Sequence, residues 1–146
     1  MDNNVFIDNI LFRKMNILFL CKANVGRSQM AESLFGILSR HNVMSAGSDV
    51  KKEDEGKGLH EYVSGCLNEL RCDTSGSYRK QLTREMANWA DRIYVMTDWK
   101  DVPEYANYSK MQFWKVEDPK GKSYEEHIVT MGEVKGLVEK LVKEIG

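Results

Sequence analysis

Short continuous apolar runs alternate along this chain with longer segments of helical period. Ile17-Leu18-Phe19-Leu20 has no polar break, which suits a strand buried on both faces, as in a parallel sheet. The run ends at Cys21. Met30, Leu34, Ile37 and Leu38 then recur at i, i+4, i+7 and i+8, which predicts a helix from about Arg27 to Arg40 with one apolar stripe. Asn42 to Ala46 reads as a second strand, followed by a charged loop from Gly47 to Lys57. A second helix is predicted from Leu59, Tyr62, Val63, Cys66, Leu67 and Leu70. Arg92 to Met96 is a third strand and Met111 to Trp114 a fourth. Val134, Leu137, Val138, Leu141, Val142 and Ile145 mark a closing helix.

Strands alternating with helices predict an α/β fold: a single domain built on an open parallel sheet of about four strands, with helices on both faces. Ligands of such sheets bind beyond the carboxyl ends of the strands. Cys21 lies at one such end, and the loop after Trp114, carrying Asp118-Pro119, is expected on the same edge. Residues 1–14 show no clear period and precede Met15, which could itself serve as a start. They are read as an N-terminal appendage, and residues 15–146 as the domain.

Composition narrows the class. Of 146 residues, 42% are hydrophobic and 29% charged, the balance of a globular chain with a packed core. The 21 basic and 22 acidic side chains are spread evenly for a net charge of -1, so no footprint for a nucleic-acid backbone is present. The longest apolar runs fall far short of the ~20 residues that span a bilayer, and the expectation is a cytoplasmic protein without a membrane partner. Three cysteines, Cys21, Cys66 and Cys72, have no paired spacing, which argues against a disulfide scaffold or a zinc site. His41, His60 and His127 form no metal-binding signature. Neither metal nor cofactor is expected.

Cys21 and Arg27 form a C-x5-R pair, a spacing that chance would supply in roughly one chain in ten. Its position gives it meaning. It joins the end of an apolar strand to the start of a helix, so the backbone N–H groups of Lys22, Ala23, Asn24, Val25, Gly26, Arg27 and Ser28 can converge on one anion. A phosphate-binding loop after the first strand is therefore expected. A helix N-terminus and a guanidinium also favour a thiolate, which makes Cys21 a candidate nucleophile. The planar fork of Arg27 suits two phosphoryl oxygens. Ser28 can donate a hydrogen bond to the sulfur, and Asp118, on a loop stiffened by Pro119, can supply the proton that a leaving oxygen needs.

The ordered series C-x-x-N-x-x-R-S, Gln29-Met30-Ala31-Glu32, Ser45-Ala46-Gly47, Gln81-Leu82-Thr83 and Asp118-Pro119 resembles the low-molecular-weight protein tyrosine phosphatases and the related thioredoxin-coupled arsenate reductases. The resemblance covers roughly Met15 to Gly146. It implies that Cys21 is the nucleophile, Arg27 the phosphate ligand and Asp118 the general acid, with Asn24 and Ser28 holding the loop. It also implies a left-handed backbone at Asn24. The implied reaction is hydrolysis of phosphate monoesters, foremost protein phosphotyrosine, through a thiophosphate intermediate. The implied partners are a phosphorylated protein or a small aryl phosphate, with inorganic phosphate or a similar oxyanion in the loop.

Some positions depart from the family pattern. Ala23 stands where Gly is usual, and Gly26 where a second Cys shields the nucleophile in many members. No aromatic residue follows Pro119 or lies between Ser48 and Gly58, where members directed at phosphotyrosine place the walls for the ring. Tyr124, Trp99 or Tyr78 are the candidates to replace them. Val25 is apolar, as in tyrosine-directed members. Two rival functions remain. Arsenate reduction uses the same loop but needs resolving cysteines, and the stretch after the third strand, Val95 to Trp99, has none. A phosphate-binding module without turnover would need neither thiol nor acid. Cys66 falls on a helical apolar stripe and reads as core, and Cys72 is an even choice between core and redox chemistry. The histidines read as surface or capping groups, and Lys51 to Glu55 as a solvated loop, with substrate contact as the alternative because the loop follows the Ser-Ala-Gly strand end.

Overall fold

The structure, a computed structural model, describes residues 4–7 and 10–146. Strands β1 (Asn4–Ile7) and β2 (Ile10–Arg13) pair antiparallel in a sheet of their own. This is structure that the first fourteen residues do not advertise in their pattern. The main chain of elements then runs β3 (Asn16–Cys21), α1 (Arg27–Leu38), β4 (Asn42–Gly47), α2 (Glu61–Glu69), α3 (Arg84–Trp89), β5 (Arg92–Val95), β6 (Met111–Phe113) and α4 (Tyr124–Ile145).

The four later strands form one parallel sheet in the order β4-β3-β5-β6. The crossover from β3 goes to one neighbour through α1, and the chain later returns to β3's other side as β5. Strand order therefore reverses at β3, and this switch point opens a crevice at its carboxyl end, where Cys21 sits.

Side chains of β3 alternate between two apolar layers, which is why its sequence shows no polar break. Ile17, Phe19 and Cys21 face a core built with α1, α2 and α4, where Met30, Leu34, Leu67, Val134 and Val138 are buried. Leu18 and Leu20 face a smaller core with Ala46, Ile93 and Val95, closed by Leu82, Ala90 and the α3 residues Met86 and Trp89. Helices cover both faces as expected, three on one side and one short one on the other. The sequence pattern missed α3, because six residues give less than two turns of periodicity. Thr83 caps it by accepting from the Met86 N–H.

The apolar stripe of α1 differs from its expected position. The buried face is Met30, Ala31, Leu34 and Phe35, while Ile37 is 58% and Leu38 41% exposed. Ile37 lies about 90° round the helix from the centre of that face, and Leu38 is the last residue before the Ser39 C-cap. Helix α4 is long, but its mixed charge shows in the fact that no described helix is long and apolar enough to cross a membrane.

Candidate functional site

The loop from Cys21 to Ser28 is fastened from outside, which leaves its inner face to the backbone N–H groups. The Cys21 carbonyl accepts from Ser48 N–H at 2.8 Å and the Lys22 carbonyl from Asp49 N–H at 2.9 Å. Among the described residues, none of the N–H groups from Lys22 to Gly26 donates to another protein atom. These donors lie beside the N-terminus of α1, whose first N–H groups have no partner within the helix. Together they form a cradle for an anion.

Gly47 makes this fastening possible. A Cβ on it would lie 2.6 Å from the Lys22 carbonyl oxygen and 3.0 Å from the Ala23 carbonyl carbon. The loop backbone thus rests directly on the end of β4, which gives the Ser45-Ala46-Gly47 motif its physical sense.

Asn24 is the internal strut. Its φ of 55° is left-handed, a conformation that Asn tolerates better than most residues, and it is fully buried. The side chain uses its whole hydrogen-bonding capacity. Nδ2 donates to Ser28 Oγ at 2.7 Å and Ser45 Oγ at 3.0 Å. Oδ1 accepts from Lys80 N–H at 2.8 Å and from Gln29 Nε2 at 3.0 Å. Because Ser28 Oγ accepts from Asn24, its single proton is free for the Cys21 sulfur, 2.9 Å away.

Arg27 enters from the far side of the loop and is 9% exposed. Its Nη1 donates to the carbonyls of Met96 and Val116, just beyond β5 and β6. The guanidinium is thereby anchored at the carboxyl edge of the sheet. Among the described residues nothing accepts from its Nε, and Nη2 faces Asp118 Oδ2 at 3.7 Å. Asp118 is half exposed, and its Oδ1 accepts from Lys120 N–H at 3.0 Å. Pro119 reaches back to within 3.9 Å of where a Gly26 Cβ would be. So Cys21, Arg27, Ser28 and Asp118, scattered over almost a hundred positions, meet at one edge of the sheet.

A cavity of about 430 Å³ opens beside the loop. Ala23, Val25 and Gly26 form its floor, and residues 118–122 one side. His60, Tyr62 and His127 also line it, none of which the sequence suggested. Of the expected aromatic replacements, Trp99 and Tyr78 are 57% and 52% exposed and do not line it. Tyr124 packs against Tyr62, with its hydroxyl donating to Glu69 at 2.9 Å. That bond pushes the Tyr124 pKa up to about 12.

The histidines divide. His60 caps α2 through its ring nitrogen, as a capping residue should. His41 and His127 are buried rather than on the surface. Asp54, from the loop expected to be solvated, also lines the cavity, and the bond from Lys57 holds its carboxyl below the usual range. Cys66 and Cys72 are both buried, and burial pushes both thiols up. Among the described residues, no three His, Cys, Asp or Glu side chains cluster as a metal site would require.

A parallel sheet that presents a thiol, an arginine and a ring of backbone donors at its switch point defines an oxyanion-binding α/β protein. A family model narrows this. The low molecular weight phosphotyrosine protein phosphatase model matches residues 16–146, and the chain belongs to that family. A glutaredoxin arsenate reductase from Synechocystis is 27% identical over 131 residues, covering 88% of this chain and 97% of its own. The crystal structure of a tyrosine phosphatase from Erwinia amylovora is similar at a TM-score of 0.80 and 25% identity, covering 99% of each chain. A low molecular weight protein tyrosine phosphatase from T. tengcongensis is similar at 0.77 and 28% identity, covering 90% of this chain and 99% of that one.

Proposed function

We propose that this protein is a cysteine-dependent phosphatase that hydrolyses phosphate monoesters, foremost protein phosphotyrosine, and that residues 15–146 are its working domain. The observation that carries the reading is the short contact between Cys21 Sγ and Ser28 Oγ inside a loop of uncommitted N–H donors. An anion-binding module has no need of that contact, whereas a sulfur that must attack and later leave does.

The geometry supports a two-step reaction. Three phosphoryl oxygens sit among the loop N–H groups, with the Nε and Nη2 edge of Arg27 gripping two of them. Cys21 attacks phosphorus, the P–O ester bond breaks, and Asp118 gives its proton to the leaving oxygen. Water then attacks the thiophosphate, Asp118 takes a proton from it, and the P–S bond breaks. Ser28 stabilises the departing sulfur through its hydroxyl. Charge on the transferring group is met throughout by donors already in place.

Hydrolysis of an aryl phosphate near pH 6 by the parent, Cys21→Ser and Asp118→Ala proteins tests the assignment. Turnover is expected to vanish in the first variant and to fall by about 10²–10⁴ in the second. Turnover that survives in folded Cys21→Ser refutes it.

The name of the Synechocystis relative motivates a second reading, arsenate reduction. It requires a resolving thiol that reaches Cys21. Cys66 and Cys72 lie in the core with raised pKa values, so either would have to leave its packing first. Reduction of arsenate coupled to a thiol donor, lost on replacing Cys66 or Cys72, would establish this reading over the first.

A further inference from the structure

We propose that His60, Tyr62 and His127 form the wall that recognises the aromatic ring of the substrate, in place of residues from the loops after Gly47 and Pro119. The inference rests on the phosphatase reading for its biological meaning, but its test does not depend on turnover.

A leaving group protonated by Asp118 lies in the cavity that Asp118 shares with the loop residues Ala23, Val25 and Gly26. The ring cluster lines the same cavity, with Asp54 and Arg79 beside it. His60 and Tyr62 meet edge to face, with centroids 5.0 Å apart and planes at 73°. Tyr62 and His127 do the same at 5.3 Å and 76°. His60 and His127 lie nearly parallel at 6.1 Å. Such spacings are those of favourable ring pairs, and a further ring can join them in the same offset or edge arrangements.

Each ring is also held in place. The Nδ1 of His60 accepts from the Tyr62 N–H at 3.1 Å, which fixes the imidazole at the start of α2. His127 is 4% exposed, and its Nδ1 lies 2.8 Å from the Ser123 carbonyl. A carbonyl can only accept, so Nδ1 carries the proton and the ring orientation is set. Tyr62 is backed by Tyr124 at 5.6 Å. A wall whose rotamers are already fixed loses little entropy when a ligand ring packs on it. Val63 and Pro119 supply apolar contact around it. An alkyl leaving group would fill less of this slot, so the site should discriminate between aryl and alkyl compounds.

Binding of benzylphosphonate and of ethylphosphonate, measured by calorimetry, tests the wall. The variants are Tyr62→Leu, which keeps apolar bulk, and His60→Asn, which keeps the capping acceptor. The parent should prefer the aryl compound, and the ratio of the two affinities should fall about tenfold in the double variant, the size expected for losing two ring contacts. Affinity for inorganic phosphate in the same proteins shows that the loop is intact. An unchanged aryl-to-alkyl ratio in a double variant that still binds phosphate overturns the proposal. Should the parent bind these compounds with the expected ratio yet hydrolyse no aryl phosphate, the phosphatase reading fails and the wall stands.

Discussion

At the scale of single residues, the loop depends on groups that do no chemistry. Gly47→Ala forces a methyl into the backbone of Lys22 and Ala23, and backbone at a sheet edge cannot step aside as a side chain can. We expect a loss of about 1–3 kcal/mol in stability, read by urea unfolding, together with weaker phosphate binding. Asn24→Ala leaves the Lys80 N–H without its acceptor, takes a donor from Ser28 and from Ser45, and puts alanine at a φ of 55°. An unpaired buried group costs about 1–3 kcal/mol and a left-handed non-glycine residue about 1–3 kcal/mol more, so this variant should be less stable than Gly47→Ala in the same assay. The residues of the proposed site stood out in the sequence because their types and spacing are unusual: Cys21, Arg27 and Ser28 bracket a strand end and a helix start. The ring wall was not. His60, Tyr62 and His127 are ordinary residues on two helices, and only the packing of α2 against α4 brings them to one cavity.

At the scale of elements, α2 and α4 are tied together where the loop that bears Asp118 runs into α4. Tyr124, the first residue of α4, packs its ring against Gly65, whose missing Cβ would lie 3.2 Å away, and its hydroxyl donates to Glu69. A hydroxyl whose pKa is raised from 10.0 to about 12 favours the folded state while it stays protonated. Its contribution is whole below pH 10.0, the unfolded value, and is lost as pH rises through about 12. Stability of the parent should therefore fall more steeply over this window than that of Tyr124→Phe, as followed by denaturant midpoints across the range. Parallel slopes would show that the bond does not couple to folding. The long elements were readable because they repeat their pattern: β3 for its unbroken apolar run, α4 for three turns of valine and leucine. The six-residue α3 and the end of α1 were not, since neither repeats enough to fix a face.

At the scale of the whole molecule, the sheet order β4-β3-β5-β6 puts the switch point at β3, and the site follows from that. The hairpin β1-β2 is outside this sheet and outside the family match, which begins at residue 16. Its described contact to the domain includes Phe12 against His41 at 4.8 Å. His41 in turn joins the Met15 N–H to the Gly146 carbonyl. A protein beginning at Met15 should keep its kcat/KM for an aryl phosphate, and a large loss would mean that the hairpin belongs to the working unit. The parallel sheet was foreseeable from alternating periods, but the hairpin was not, because strands this short have no room to show alternation.

The central claim is that phosphorus is bonded to Cys21 during turnover. Asp118→Ala should still form that bond from an aryl phosphate with a good leaving group, while hydrolysing it slowly for want of a base. Rapid acid quench followed by mass spectrometry of the peptides measures it directly. The account predicts one phosphoryl group on the peptide that contains Cys21, appearing together with the released aryl alcohol, before inorganic phosphate, and absent in Cys21→Ala. Steady turnover with no phosphorylated peptide, or with the phosphoryl group on any other residue, would contradict it.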